Sequence, residues 1–231
     1  MITRHQIYFQ DSRKMKALDT DSADLVVTSP PYPMIEMWDA MFVDQNAEIG
    51  NALNRGDGPE AFELMHRQLD AVWQEVRRIL KQGGIACINI GDATRTINSR
   101  FVLYPNHSRI LNQFLKLGFE ALPAIIWRKQ TNAPNKFMGS GMLPPGAYVT
   151  LEHEYILIFR KGDKRLFNRP TEKTNRRQSA FFWEERNQWF SDVWMDLKGT
   201  RQKTEDKKLR QRSGAYPFEL AYRLINMFSV M

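Results

Sequence analysis

The sequence has a single cysteine among its 231 residues and no long apolar run. Cys87 alone excludes an internal disulfide bond and a zinc site built on cysteines. No segment approaches the roughly 18 apolar residues of a membrane span, and residues 1–5 lack the apolar stretch of a secretory signal. The four histidines are scattered without the spacing of a metal site. We therefore expect a cytoplasmic protein with no metal ion and no membrane partner.

Negative charge is scarce in one segment of the chain. The sequence carries 33 Lys and Arg against 26 Asp and Glu, a net charge of +7. Residues 160–212 contain 16 of these cations and 8 of the anions, so the whole positive excess lies there. A localised basic excess favours a polyanion as partner, although a solvated surface loop can have the same composition.

Strands and helices are predicted to alternate along the chain. Short apolar and β-branched runs predict strands, and apolar residues at steps of three and four predict helices. Strands are expected at residues 7–9, 24–28, 85–90, 121–127 and 155–159, helices at 59–82, 105–117 and 217–228, and loops at 33–58 and 130–147. In the longest helix, Pro59 suits the first turn and Gly83-Gly84 marks the end. The alternation is typical of an α/β fold with a mainly parallel sheet flanked by helices.

The sharpest motif is Ser29-Pro30-Pro31-Tyr32, directly after a predicted buried strand. Open α/β sheets bind ligands beyond the carboxyl ends of their strands. The prolines fix the backbone and remove two N–H donors, which leaves a carbonyl oxygen free to accept a hydrogen bond. Ser29 offers a second acceptor, and the ring of Tyr32 offers a face on which a nucleobase can stack.

Such a turn suits the methylation of an aromatic amine. The lone pair of a base amino group is delocalised into the ring, so the nitrogen is a poor nucleophile. Two acceptors on its N–H groups favour a more tetrahedral nitrogen that can attack a sulfonium methyl group. Inside a duplex the target atom is inaccessible, so the base has to be flipped out. A strand-ending turn without a catalytic role remains the alternative interpretation.

Together with its surroundings, the motif resembles the catalytic block of DNA amino-methyltransferases. Similar segments follow in the family's order, namely 83–92, 125–129, 153–159, 191–194 and 216–220. With the catalytic block first, this is the order of the beta group. The resemblance implies a class I S-adenosylmethionine-dependent methyltransferase-like fold. Its catalytic region would span residues 1–159, the basic target-recognition region 160–212, and a cofactor-site helix 213–231.

The resemblance also implies roles for individual residues. The catalytic pocket would consist of Ser29, Pro30, Pro31 and Tyr32. S-adenosyl-L-methionine would contact Asp11, Ser213, Tyr216, Pro217 and Phe218. Apart from the resemblance, the basic composition of the 160–212 segment predicts contact with double-stranded DNA, since Lys and Arg bind phosphates, through Arg160, Lys161, Lys164, Arg165, Arg176 and Arg177. Asp92 is a further pocket candidate, but an aspartate that caps a turn or helix fits the same position.

One departure from the family concerns its Phe-x-Gly-x-Gly cofactor loop, which is not found after the last predicted helix; Gly139-Ser140-Gly141 lies in the predicted loop at 130–147, where glycines favour flexibility. In the family this loop follows the last helix and a strand. We therefore expect a fragment, a second chain or a homodimer that supplies the loop, or an incomplete cofactor site. A non-catalytic DNA-binding subunit is the alternative from a different functional class.

The residues also bear on which base is methylated. Carbon-5 methylation of cytosine needs a thiolate, and Cys87 lies mid-strand as a small core residue, so that reaction is excluded. Ser29 at the first motif position resembles cytosine-N4 enzymes, whereas Asp or Asn there resembles adenine-N6 enzymes. We predict N4 methylation in a restriction-modification system, with N6-adenine as the alternative. The pair His153-Glu154 could suggest acid–base work or a metal ligand, but we expect it to make a positioning hydrogen bond.

Overall fold

The computed structural model describes residues 4–129, 138–200, 215 and 217–230. The strands are β1 Ala23–Thr28, β2 Leu80–Ile90, β3 Ala93–Ile97, β4 Arg100–Tyr104, β5 Phe119–Arg128, β6 Met138–Gly139, β7 Ala147–Tyr148, β8 His153–Lys161 and β9 Val193–Trp194. The α-helices are α1 Asp39–Gln45, α2 Ala47–Arg55, α3 Gly58–Ile79, α4 Asn106–Lys116, α5 Pro170–Gln178, α6 Trp183–Trp189 and α7 Phe218–Phe228.

Five strands form one mixed sheet in the order β1-β2-β8-β5-β9. β1 pairs with β2 and β5 with β9 in parallel, whereas β8 is antiparallel to both of its neighbours. Four strands therefore run in one direction and β8 runs against them. The predicted α/β class is confirmed. The inserted β8 makes half of the pairings antiparallel.

The central strand β2 is buried on both faces, because alternate side chains of a strand point to opposite sides. Ala86, Ile88 and Ile90 join the core that contains α3 and α4. Ile85 and Cys87 join the core on the other side, which contains α7. The fold thus has three layers with the sheet in the middle, and this is why residues 85–90 are almost continuously apolar.

Helix α3 begins as the sequence predicts but ends earlier. Asp57 caps it by accepting a hydrogen bond from the Glu60 N–H at 3.1 Å. The helix ends at Ile79, and the chain continues directly as β2, so the prediction that Gly83-Gly84 ends the helix is wrong. Gly83 lies inside β2 with φ +77°, and a Cβ there would lie 2.6 Å from the Arg165 backbone nitrogen. The glycine serves close packing instead of helix termination.

The prediction of a loop at residues 33–58 is also wrong. The segment contains a 3-10 helix at Glu36–Trp38, followed by α1 and α2. Asn46 separates the two α-helices, and its side chain caps α2 by accepting a hydrogen bond from the Glu48 N–H. Helices this short bury only one or two side chains each, so the apolar period is too brief to recognise in the sequence.

The strand predicted at residues 7–9 is absent. In the described part of the chain no strand pairs with this segment, and Ile7 and Phe9 are 78% and 97% exposed. An apolar run without a neighbouring strand cannot satisfy its backbone groups as a sheet does. The predicted loop at 130–147 lies partly outside the described residues, and its remainder forms the β6–β7 hairpin.

The basic segment is connected to the main sheet. It contributes α5, α6 and the edge strand β9, which pairs with β5 through Val193 and Trp194. Trp194 is buried with Leu197 in the α7-side core. α5 buries none of its residues. The division into catalytic and recognition regions stays a prediction. No helix among the described residues is long and apolar enough to span a bilayer.

Candidate active site

The carboxyl ends of β1 and β2 meet the start of β8 around a cavity of about 390 Å³. The three segments meet because β8 is antiparallel, which brings its first residues beside the last residues of its neighbours. The cavity is lined by Ser29, Pro30, Pro31, Tyr32, Ile35, Met37, Trp38, Asn89, Lys129, Glu154 and Ala215. This is the edge at which open α/β sheets bind ligands.

The structure brings all four predicted pocket residues into the wall of this cavity. β1 ends at Thr28, and the prolines turn the chain away from the sheet. Pro30 is buried, whereas Ser29 and Tyr32 are partly buried. Tyr32 packs partly against the core, and its ring still borders an open volume beside Ser29.

A compact hydrogen-bond network surrounds the Tyr32 hydroxyl group. The hydroxyl donates to Glu154 Oε2 at 2.9 Å. It accepts from Ser29 Oγ at 3.2 Å and from Asn89 Nδ2 at 2.8 Å. Asn89 Nδ2 also donates to Glu154 Oε2 at 2.7 Å. The positioning hydrogen bond expected of the His153-Glu154 pair is therefore present at Glu154, and its partner is the tyrosine of the motif.

The charge of Glu154 is balanced within the wall. Lys129 Nζ donates to Glu154 Oε1 at 2.9 Å, and the Glu154 side chain is only 13% exposed. Burial, followed by the charge of Glu154, raises the pKa of Tyr32 far above its usual value. The phenol is thus neutral at physiological pH and remains a hydrogen-bond donor.

A second polar network, centred on the fully buried Asn106, supports the loops behind the cavity. Asn106 Nδ2 donates to the Pro33 and Gly91 carbonyls at 3.1 and 3.0 Å. These bonds orient the amide, so Asn106 Oδ1 accepts from His66 Nε2 at 3.0 Å. Burial lowers the pKa of His66 to about 3, so the imidazole is neutral. The network fixes the loop after Tyr32 relative to the end of β2.

Two further residues singled out from the sequence, Asp92 and Cys87, have structural roles. Asp92 accepts hydrogen bonds from the backbone N–H and Nδ1 of His107, at the start of α4, and it does not line the cavity. Asp92 therefore holds a helix start, as the alternative interpretation proposes. Cys87 is fully buried, and burial raises the pKa of its thiol. The prediction that Cys87 is a core residue is confirmed. Among the described residues no cluster of His, Cys, Asp or Glu could hold a metal ion.

The predicted cofactor contacts are only partly visible. Ser213 and Tyr216 lie outside the described residues. Pro217 precedes α7, and Phe218 is 82% exposed at the first turn of that helix. The nearby Ala215 belongs to the cavity wall. Asp11 is not brought to the cavity; its carboxylate pairs with Arg13 at 2.6 Å, which lowers the pKa of Asp11.

The predicted DNA-binding cations do not line the cavity. Lys161 lies seven residue steps beyond Glu154 along β8, roughly 24 Å at the usual strand rise. Lys161, near the opposite edge of the sheet, donates to Asp21 and to two backbone carbonyls. Arg165 pairs with Asp24 at the start of β1. The remaining members of this predicted set are Arg160, which donates to the Gly162 carbonyl, and the exposed Lys164, Arg176 and Arg177.

Two polar members of the site were missed from the sequence. Asn89 is 2% exposed in an otherwise apolar strand, and a polar residue in such a run is a usable signal because burial requires a partner. Lys129 follows β5 in a stretch rich in polar residues, and nothing local distinguishes it. The apolar wall residues Ile35, Met37 and Trp38 lie in the segment that the sequence assigned to a loop.

Comparison with known proteins identifies close relatives across the chain. The family model described as DNA methylase, which represents N6 and N4 methyltransferases, matches residues 23–231. The type II methyltransferase M.MthZI of Methanothermobacter thermautotrophicus is 58% identical over 100% of the chain. M.MjaI of Methanocaldococcus jannaschii, also a type II methyltransferase, is 50% identical over 99%. The chain spans 65% of the length of the first relative and 78% of the second.

Solved structures show the same architecture. TTHA0409 of Thermus thermophilus, a candidate DNA modification methylase, was solved with S-adenosyl-L-methionine. It matches with a TM-score of 0.68 and 30% identity, over 95% of this chain and 72% of that one. The cytosine-N4-specific PvuII DNA methyltransferase matches with a TM-score of 0.56 over 96% of this chain and 69% of that one, at 15% identity, a likeness of fold alone.

Proposed function

This chain belongs to the DNA methylase family of N6 and N4 methyltransferases, and we propose from this premise that it methylates the exocyclic N4 of a flipped cytosine in duplex DNA. The observation that carries the proposal is the cavity at the end of β1, with Ser29, Pro30 and Tyr32 in its wall. Its volume of about 390 Å³ lies within the usual range of small-molecule sites.

The wall offers what an amino group requires. Ser29 Oγ and the backbone after it present oxygen acceptors, and proline has no N–H to compete for them. The rings of Tyr32 and Trp38 provide apolar faces for a base. A base inside a duplex cannot enter such a cavity, so base flipping is part of the proposal.

The methyl donor we propose is S-adenosyl-L-methionine, which supplies an electrophilic methyl group on a sulfonium centre. Ala215, two residues before the predicted cofactor residue Pro217, lies in the cavity wall, which supports a cofactor bound beside the base. Pro217 and Phe218, which follow Ala215 in the chain, stay in the proposed cofactor set. The sequence prediction for Ser213, Tyr216 and Asp11 stays a prediction.

Cytosine N4 is favoured over adenine N6 by Ser29 at the first motif position. The N6-adenine alternative follows from the family, which includes both activities. We also propose that the chain belongs to the beta group and to a restriction-modification system, which fits its similarity to type II methyltransferases. That a second chain or a second copy supplies a Phe-x-Gly-x-Gly loop stays a prediction, as does DNA contact by the six basic residues of the 160–177 segment.

The test is incubation of the chain with duplex DNA and methyl-labelled S-adenosyl-L-methionine, followed by digestion and mass spectrometry of the nucleosides. We expect labelled N4-methylcytosine. Ser29→Ala should reduce the single-turnover rate, and Ser22→Ala is the matched control because Ser22 is exposed before β1 begins. Labelled N6-methyladenine would move the assignment to the alternative. DNA binding without any methylated nucleoside would instead support a non-catalytic subunit.

A further inference from the structure

A continuous chain of hydrogen bonds leads from the cavity wall to a paired carboxylate. Ser29 Oγ lies 3.2 Å from the Tyr32 hydroxyl, which lies 2.9 Å from Glu154 Oε2. Lys129 Nζ lies 2.9 Å from the other carboxylate oxygen, Oε1. The chain spans residues from three separate segments, and methyl transfer itself does not explain why they are linked.

The chemistry at the Glu154 end fixes the direction of each bond. A carboxylate that faces an ammonium group can only accept, so the Tyr32 hydroxyl donates its one proton to Glu154. The phenol oxygen must then accept from its other neighbours, Asn89 and Ser29. Because Ser29 donates its only proton to Tyr32, its remaining lone pairs face other partners as acceptors.

We propose, on the basis of the methyl transfer proposed above, that Glu154 is a positioning residue that makes Ser29 an acceptor and receives, through Tyr32 and Ser29, the proton that the methylated amino group releases. An acceptor-only Ser29 is the state that a substrate amino group needs. A serine that is free to rotate would spend part of its time pointing its proton at the amine.

The transfer balances along this chain. The N–CH3 bond forms as the S–CH3 bond breaks, and the bonding pair stays on sulfur. The nitrogen then carries a positive charge and loses one proton to Ser29 Oγ. The Ser29 proton moves to the Tyr32 oxygen, and the Tyr32 proton moves to Glu154 Oε2. The carboxylate ends protonated, and both hydroxyl groups end neutral.

The surroundings favour this route. The Glu154 side chain is 13% exposed, so water screens its charge weakly. The Lys129 ammonium group, 5.4 Å from the centre of the Trp127 ring, balances the carboxylate. Gly91 lets the partners approach, since a Cβ there would lie 3.1 Å from Tyr32 Cε2 and 3.3 Å from Glu154 Cγ. Tyr32 stays protonated because burial and Glu154 raise its pKa.

The kinetic test compares Glu154→Gln, Tyr32→Phe and the double variant in single-turnover methylation, with DNA affinity measured separately. Each single variant should reduce the rate by roughly 100-fold, a typical contribution of acid–base catalysis, while the Kd for DNA changes less than threefold. The double variant should be no slower than the slower single variant, because both break one chain. Glu152→Gln is the matched control, since Glu152 is 46% exposed and pairs with Arg128.

A second measurement, by NMR spectroscopy, does not depend on methylation activity. In protein labelled with 13C at tyrosine Cζ, the Tyr32 signal is identified by its loss in Tyr32→Phe. We expect Glu154→Gln to shift this signal and Glu152→Gln to leave it in place. If Glu154→Gln does not fold, Tyr32→Phe carries the kinetic test.

The outcomes separate this inference from the function on which it rests. If the wild-type chain methylates DNA and both single variants remain within threefold of its rate, the relay is wrong and the function stands. Losses that multiply in the double variant, or an unchanged Tyr32 signal, would also overturn the relay. If the wild-type chain transfers no methyl group, the proposed function fails together with the inference.

Discussion

Replacing Asn106 with alanine should destabilise the fold by about 3 kcal/mol, because three buried groups lose their partner. The Asn106 amide forms hydrogen bonds of 3.0 to 3.1 Å with the Pro33 and Gly91 carbonyls and with the imidazole of His66. A net contribution of about 0.5–1.5 kcal/mol per hydrogen bond gives roughly 1.5–4.5 kcal/mol for the three. The Asn106 side chain has no exposed surface, so bulk water does not reach the three groups to replace the lost hydrogen bonds.

Urea denaturation followed by tryptophan fluorescence measures this loss. Asn106→Asp separates lost donors from a cavity, because it keeps the shape of the side chain but turns an oxygen toward two carbonyls. At pH 8 we expect it to be at least as destabilising as alanine. Asn112→Ala, at an exposed position of the same helix, should change stability by less than about 0.5 kcal/mol. A loss below about 1 kcal/mol for both Asn106 variants would refute the assigned network. Methylation should also slow, since the network holds the loop after Tyr32.

Three further predictions concern the same half of the molecule. The pKa of His66 is lowered to about 3, so the unfolded state takes up a proton first as the pH falls from about 6.5 toward 3, and stability is lost across that window. Because of this group, the free energy of unfolding measured by denaturation should be about 2 kcal/mol lower at pH 5 than at pH 7.5. The His66→Gln variant should lose this part of the pH dependence, whatever its stability at a given pH. Gly91→Ala should slow methylation, because the added Cβ would displace Tyr32. The control is Gly50→Ala in α2, where a Cβ would lie 3.4 Å from Val43; this variant should be as active and as stable as the wild type. Equal activity of the two variants would contradict the close packing at Gly91. Asp57→Ala should cost about 1 kcal/mol in denaturation through the lost cap of α3, and an unchanged midpoint would argue against that cap.

Local sequence predicts a structural element wherever the residues at that place are compatible with few conformations. The prolines after β1 and the almost continuously apolar residues 85–90 of β2 predict the sheet edge at which the cavity lies, because strands and rigid turns depend on local chemistry. Long helices such as α3 are predicted for the same reason. Short helices such as α1 and α2 are not, because their contacts with the core are set by tertiary structure.

The partners within the site depend on topology in the same way. Glu154 is 122 positions from Tyr32, and their contact exists because β8 runs against its neighbours. Local sequence does not determine that direction, so it predicts a hydrogen bond for the His153-Glu154 pair without identifying the partner. The exposed run at residues 7–9 shows the opposite case, since its composition favours a strand that has no neighbour to pair with among the described residues.

The central claim is that the cavity beside Ser29 receives the amino group of a flipped cytosine. The most direct measurement is a crystal structure of the chain with S-adenosylhomocysteine and a duplex that carries the site found by methylation sequencing. We expect the cytosine N4 within about 3.2 Å of Ser29 Oγ, the upper limit of an ordinary N–H···O bond. A target base that remains stacked in the duplex, or one bound away from Ser29, would contradict the account.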